Sequence, residues 1–135
     1  MKVNFCFVIL FYTFMLSGEN YGIVVHGGAG VMSGLSEEQQ NIIKQKVSKT
    51  LIASYKILEN GGSSLDAVEF AVSEFENSPL FNAGKGSVYA SNETQEMDAS
   101  IMFGKDRSAG AVASVKRIKN PIKLARKVLK KHRMC

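Results

Sequence analysis

The sequence predicts a layered α/β domain in which helices flank a run of short, hairpin-linked strands. Three observations predict it. Residues 36–76 carry two helical apolar stripes, each with its own start and stop signals. Residues 86–116 hold three short stretches rich in Val, Ala, Ile and Met, separated by turn residues. A last amphipathic segment follows at 120–131. Strands grouped between helices are not the strict strand–helix alternation of a parallel Rossmann sheet. A chain of 135 residues suits one small domain. Its 45% hydrophobic and 21% charged content excludes a disordered chain. Neither a low-complexity segment nor an internal repeat occurs.

The N-terminus reads as a targeting segment over residues 1–18, with 19–135 as the mature portion. Lys2 is a short positive region, "FCFVILFYTFML" (5–16) lacks charge, and Ser17 and Gly18 are small. That order is a secretory signal peptide, and it predicts passage into the secretory pathway. The apolar run is too short for a stable membrane span. A buried strand is the other reading. Met15 and Leu16 fit the cleavage-site pattern poorly, so the expected cut falls after Ser17 or Gly18, or does not occur. Cys6 leaves with the signal and Cys135 is the last residue, which excludes an internal disulfide framework.

"YGIVVHGGAG" (21–30) reads as a short buried strand, Ile23 to Val25, running into a glycine-rich turn. Ser36 and Gln39 form a capping box. Ile43, Val47, Leu51, Tyr55 and Leu58 then recur on one helical face. Asn60-Gly61-Gly62 ends this helix with a glycine in the left-handed cap position. Ser64 is the expected cap of a second helix whose stripe is Val68, Ala71, Val72 and Phe75; Pro79 prevents its continuation. The strands are expected at 86–91, 96–104 and 109–116 as an antiparallel meander, with turns at Asn92-Glu93 and Lys105-Asp106-Arg107. Asn120 is the expected cap of the final helix, with Pro121 in its first turn. There Ile122, Ala125, Val128 and Leu129 face inward, and Lys123, Arg126, Lys127, Lys130 and Lys131 face out.

That helix explains most of the charge. The net charge is +5, yet residues 1–104 hold 6 Lys/Arg against 11 Asp/Glu. Residues 105–135 hold 11 Lys/Arg against one acid, Asp106. Basic ends serve nucleic acid or anionic membranes in some proteins. Here no aromatic lies among the charges to stack on bases, and a solvated helix face accounts for them. Asn92-Glu93-Thr94 is the only N-x-[ST] sequon and makes Asn92 a glycosylation candidate in a secreted chain.

Candidate chemistry centres on two loops. His26-Gly27-Gly28-Ala29-Gly30 can offer backbone N–H groups to an anion, or it is a plain tight turn. It is not G-x-G-x-x-G, because Ser33 stands at the third glycine position. It is similar to an esterase oxyanion loop, but the chain contains no G-x-S-x-G elbow. "SPLFNAGKGSVYA" (78–90) spends two glycines on holding one amide, Asn82, and one charge, Lys85. The threonines are Thr13, in the signal, Thr50, in a helix, and Thr94, in a turn. His26 and His132 have no evident serine partner, and metal-ligand spacings are absent. These residues are the walls of a site without its reacting group.

"IVVHGGAG", "GGSSLDAVEFAV", "SPLFNAGKGSVY", "MDASIM" and "AGAVASVKRIKNPIKLARKV" occur here in one order. Together they resemble the α-subunit portion of plant-type L-asparaginases, also called isoaspartyl peptidases, over about residues 22–130. The related glycosylasparaginases look less similar, because "PLFNAG" is not their loop. The resemblance implies an N-terminal nucleophile (Ntn) hydrolase with an αββα sandwich, here partial and lacking its β-subunit half. The family precursor cleaves itself before a threonine, whose hydroxyl becomes the nucleophile and whose own α-amine is the base. Substrates are asparagine and β-aspartyl peptides, and mature enzymes are homodimers of αβ units with no catalytic cofactor.

Carried over by position, His26, Gly27 and Gly28 adjoin the scissile bond and Asn82 lies near the nucleophile. The backbone carbonyls of Phe75, Glu76, Ser78, Phe81, Ala83 and Lys85 ring a structural sodium ion, as carbonyl oxygens suit a hard cation. Lys85 replaces an apolar residue of that pattern. The G-T-V-G motif and the substrate-clamping Arg and Asp are expected beyond residue 135. So this chain is expected to hold no catalytic residue and to be inactive alone. Two alternatives stand beside that reading: a secreted, non-catalytic binding module that uses the face its β-subunit would cover, and a non-functional fragment. Val88, Met97, Ile101, Val112 and Val115 are the expected members of that uncovered apolar face, which predicts marginal folding and either self-association or binding of a partner.

Overall fold

A computed structural model describes residues 21–28 and 34–132. Helix α1 spans Glu37–Glu59. It starts where the sequence places it: Ser36 Oγ accepts from the Gln39 amide at 3.2 Å, and Gln39 Oε1 accepts from the Ser36 amide at 2.9 Å. Glu37 and Glu38 offset the positive end of the helix dipole. At the other end Gly61 takes φ 79°. Its amide donates to the Leu58 carbonyl at 2.9 Å, and that of Gly62 to Ile57 at 2.7 Å, a paired closure that satisfies two orphan carbonyls.

Helix α2 spans Ser64–Glu76 and is capped by Ser63, one residue before the expected Ser64. The box decides between the two serines. Asp66 lies three residues beyond Ser63 and returns its carboxylate to the Ser63 amide, whereas Ala67 holds that position relative to Ser64. Its buried positions are Leu65, Ala67, Ala71, Ser73, Phe75 and Glu76. Val68, expected in the stripe, is exposed. The helix packs on α1 and also on the elements that follow, so burial spreads over two of its faces and Val68 falls outside both. Lys46 and Glu74 bridge α1 and α2 at 2.7 Å.

Strands β1 (Met97–Phe103) and β2 (Ser108–Val115) form one antiparallel hairpin, with Ile101 opposite Gly110 and Ala99 opposite Val112. An irregularity near Met97 coincides with Ser114 at φ 51°, whose amide donates to Asp98 Oδ1 at 2.7 Å. The expected third strand at 86–91 is absent. Residues Gly84–Gly86 form a 3-10 turn, and one isolated bridge, Tyr89 with Gln95, is all that pairs. The Val88 amide, which a ladder would need, is given instead to Asn82 Oδ1. The expected strand at Ile23–Val25 also does not form; no described strand pairs with it, and Val24 is 94% exposed. Tyr21 is anchored against Tyr55, with ring centroids 5.4 Å apart.

Helix α3, Pro121–His132, lies across one face of the hairpin. The core is Leu65, Ile101, Ile122, Ala125 and Leu129, joined by Val72, Ala99, Phe103 and Val112. This reverses the expected exposure of Ile101 and Val112: period-two alternation turns them toward α3. Met97 and Val115 are half-buried, and Val88 is exposed but lies off the sheet. The bare face is the opposite one, with Ser100, Met102, Ala109, Ala111 and Ala113. Arg126, expected outside, is buried and donates from Nη2 to Asp66 Oδ1 at 3.0 Å. It follows Ile122 by four residues, so it shares that residue's inward face and its stem packs there. Among the described residues no helix is long and apolar enough to cross a membrane.

Contact between α3 and β2 is closest at Gly110. A Cβ there would run into the Ala125 carbonyl and the Leu129 amide. Gly110→Ala is expected to lower stability by about 1–3 kcal/mol through overpacking. Gly104→Ala, where a Cβ meets nothing within 4 Å, serves as the neutral control. Urea unfolding of both variants checks the difference.

Candidate functional site

The loop after α2 is wound by local hydrogen bonds. The Ser78 amide donates to the Phe75 carbonyl at 3.0 Å, Ala83 to Phe81 at 2.8 Å, and Gly86 to Ala83 at 3.0 Å. Ser87 Oγ donates to the Gly84 carbonyl at 2.8 Å, and Gln95 Nε2 to the Ser87 carbonyl at 2.6 Å. Asn82 Oδ1 closes the loop by accepting from the Val88 amide at 2.9 Å. The single amide thus spans six residues and leaves its Nδ2 group unpaired among the described residues.

Phe81 anchors the loop. It is buried and meets the Phe75 ring at a centroid distance of 4.6 Å. Gly27 approaches its other side: a Cβ on Gly27 would lie 3.2 Å from Phe81 Cε1 and 3.8 Å from Val47 Cγ2. The glycine-rich segment is therefore brought against the residue preceding Asn82. Gly28 takes φ 100°, and its amide donates to His26 Nδ1 at 3.2 Å, with the His26 side chain exposed. Ala29 and Gly30 lie outside the described residues, as do 1–20, which hold the expected signal segment and Thr13. Neither remaining threonine joins this cluster. Thr50 is buried in α1, and Thr94 Oγ1 donates to Asn92 Oδ1 at 2.7 Å. His132 sits at the end of α3.

The expected carbonyl ring can be tested on the shape of the loop. A Cβ on Gly84, which has φ 52°, would run into the Glu76 carbonyl, and one on Gly86 would run into the carbonyls of Phe81 and Pro79. So the Glu76 and Phe81 carbonyls press close against Gly84 and Gly86, and the Phe81 oxygen also accepts from the Ala83 amide. The donor chemistry fits a hard cation. The described residues hold no cluster of three or more acidic, His or Cys side chains, and a carbonyl ring needs none.

Glu76 has a role that sequence reasoning missed. Its side chain is 3% exposed. Oε1 accepts from the Ile122 amide at 2.9 Å, and Oε2 accepts from Asn120 Nδ2 at 3.0 Å. The α3 N-terminus is thus capped by a carboxylate from α2, and Asn120, the expected cap, turns its side chain to Glu76 and Asn77 instead. The signal was present: an acid in the last turn of a helix opposes that helix's dipole and needs a partner elsewhere. Burial pushes the Glu76 carboxyl above its ordinary value of 4.5, against the pull of the Ile122 and Asn120 hydrogen bonds.

Asn92 lies apart from this cluster, in an exposed turn. Its Nδ2 donates to Glu96 Oε1 at 3.0 Å, and Lys116 Nζ sits 2.9 Å from the same oxygen. The Asn92 and Lys116 hydrogen bonds hold the Glu96 carboxyl down to about 2.

The family model described as Asparaginase matches residues 19–135. The chain is 50% identical over 113 residues to the isoaspartyl peptidase/L-asparaginase of Mus musculus, covering 84% of this chain and 34% of the relative. The Homo sapiens protein of that description is also 50% identical, with 84% and 36% covered. The plant-type L-asparaginase of Pyrococcus abyssi is 48% identical over 109 residues, with 81% and 35% covered. The chain spans about a third of the length of these curated relatives.

Two outcomes follow from this geometry. Asn82→Ala is expected to speed amide exchange at Val88, since it removes a hydrogen bond worth about 0.5–1.5 kcal/mol. Exchange in the α1 interior, measured together, should not change. The two carboxylates should also pull stability in opposite directions. Glu96 contributes stability above its ordinary value of 4.5, and this is lost as pH falls toward about 2. Glu76 contributes fully below 4.5 and loses its contribution as pH rises through its raised value. Urea unfolding across this range should show that Glu76→Gln flattens the decline on the rising side and Glu96→Gln the decline on the acid side.

Proposed function

The chain belongs to the asparaginase family, and on that premise we propose that it forms part of a hydrolase acting on asparagine or on the isoaspartyl bond of β-aspartyl peptides. The observation that carries this reading is the seating of Gly27 against Phe81, beside Asn82. Amide hydrolysis by acyl transfer needs a nucleophile, a base and donors aimed at the developing oxyanion. The nucleophile and base belong to a threonine of the G-T-V-G kind, supplied by sequence outside this chain. This chain supplies the wall. Asn82 has its oxygen held by the Val88 amide, which leaves Nδ2 free to donate toward the reacting amide or its oxyanion. Gly27 rests on Phe81, the residue before Asn82, and in this reading the His26, Gly27 and Gly28 backbone would border the bond that self-cleavage breaks.

The carbonyls of Phe75, Glu76, Ser78, Phe81, Ala83 and Lys85 would hold a sodium ion. Bound there, the ion would offset the mutual repulsion of the carbonyl oxygens and stiffen the loop that presents Asn82. The partners in this reading are the β-subunit portion and a second αβ unit. The bare hairpin face favours a second reading, a non-catalytic binding module, since Met102 is 63% exposed among small residues.

A chimera separates the two. Residues 19–130 replace the matching third of the Mus musculus relative, and hydrolysis of asparagine and a β-aspartyl dipeptide is measured for the chimera and for the 135-residue chain. The expected result is turnover by the chimera alone. Asn82→Ala in the chimera should lower kcat by about 10²–10³, the cost of one oxyanion donor. Turnover by the 135-residue chain would require a different nucleophile. A folded chimera without turnover would favour the binding module.

A further inference from the structure

A cleft of about 480 Å³ opens between the 76–85 loop, the start of β1 and the segment 117–119. Small-ligand sites occupy about 300–1,000 Å³, so its size suits a metabolite. Its lining includes Lys85, Arg117 and Lys119, with Gln95, Met97 and Glu76. The acid there is already engaged, since Glu76 gives both oxygens to Ile122 and Asn120. None of the three cations makes an ion pair among the described residues, whereas the adjacent Lys116 is paired with Glu96. Three cations without an ion-pair partner among the described residues therefore line one concave surface, with the Glu76 carboxyl the one acid beside them.

Backbone conformation supplies a second, independent observation. Arg117 takes φ 57°, in the left-handed region. An L-residue with a side chain pays roughly 1–2 kcal/mol there, and such strain gathers at ligand sites. Among the described residues, no hydrogen bond or ion pair of the Arg117 side chain repays it. Half-buried Ile118 anchors the segment between Arg117 and Lys119, so both cations stand on a fixed stretch of backbone.

We propose that this cleft binds a small organic or inorganic dianion, through carboxylate or phosphate oxygens, with Arg117 and Lys119 meeting the oxyanions and Lys85 completing the positive rim. Arg117 presents the planar fork that suits either group bidentately. The inference rests on the cleft and its charges and holds whether or not the chain takes part in hydrolysis.

The test is a titration of the ¹⁵N-labelled 135-residue chain with succinate and, separately, with inorganic phosphate at constant ionic strength. The expected result is saturable shifts at Gly84, Gln95 and 117–119. Arg117→Gly removes the guanidinium and also the left-handed strain, so the fold is retained. It should weaken binding about tenfold, the loss of one charge-assisted contact. Lys127→Gln, on the outer face of α3, should leave affinity unchanged. Saturation by succinate alone identifies a dicarboxylate site, and by phosphate alone a phosphoryl site; both support the inference. No saturable shift with either probe overturns it, as does equal weakening by Lys127→Gln, which would reduce the effect to general screening.

Discussion

The Glu76 carboxylate sets the arrangement of everything after α2. It stands at the end of one helix and accepts one amide at the start of another, that of Ile122, joining residues 46 positions apart in the chain. A buried carboxylate is costly unless hydrogen-bonded, and charge-assisted bonds to a helix N-terminus are among the stronger ones available. With that bond made, Ile122, Ala125 and Leu129 are carried over Ile101. Arg126 makes a second tie to Asp66, near the start of α2. A hydrogen-bonded carboxyl and an ion pair at opposite ends of α2 thus fix where α3 lies, and apolar packing fills the space between. Arg126 Nε and Nη1 stay without hydrogen-bond partners among the described residues.

The same residue begins the loop that holds Asn82. The chain leaves Glu76, turns at Ser78 and winds back on its own carbonyls until Gly84 faces the Glu76 backbone. Side chain and main chain of one residue therefore serve two ends. One fixes the covering helix, and the other is a wall of the loop. Phe81 connects this loop to the glycine-rich segment, so the seating of Gly27 depends on the Phe75–Phe81 pair, itself an extension of α2.

Signals set by neighbours within a few residues are legible in the sequence, apart from the choice of Ser63 over Ser64 as a cap, and signals set by distant residues are not. The Ser36 box, the Gly61 closure, Pro121 in the first turn of α3 and the β1–β2 hairpin all depend on neighbours within a few residues. The family was legible because five word-like motifs kept their order. The failures share a cause. The strands expected at 86–91 and Ile23–Val25 have apolar composition, but a strand exists only with a partner, and Asn82 takes the amide that the first would have used. Arg126 reads as surface until Asp66 is placed beside it. The family resemblance places Ile101 on a face left bare by the missing β-subunit half, whereas the α3 packing covers it, and no local signal says which face of a hairpin a helix covers.

At Gly110 the obstacle to a side chain is mostly main chain. The atoms that a Cβ would strike are the Ala125 carbonyl and the Leu129 amide, present whatever residues occupy those positions, together with the Leu129 Cβ. A crowded core contact between two side chains can be relieved by shrinking one as the other grows. Here shrinking Leu129 or changing Ala125 would leave the backbone atoms in place. A second-site replacement at 125 or 129 therefore cannot rescue a larger residue at 110, and only a shift of the whole helix can. That shift would stretch the Glu76 bond to Ile122. Position 110 is thus closed to the paired drift by which cores usually change, and the spacing of helix and strand is held by backbone alone.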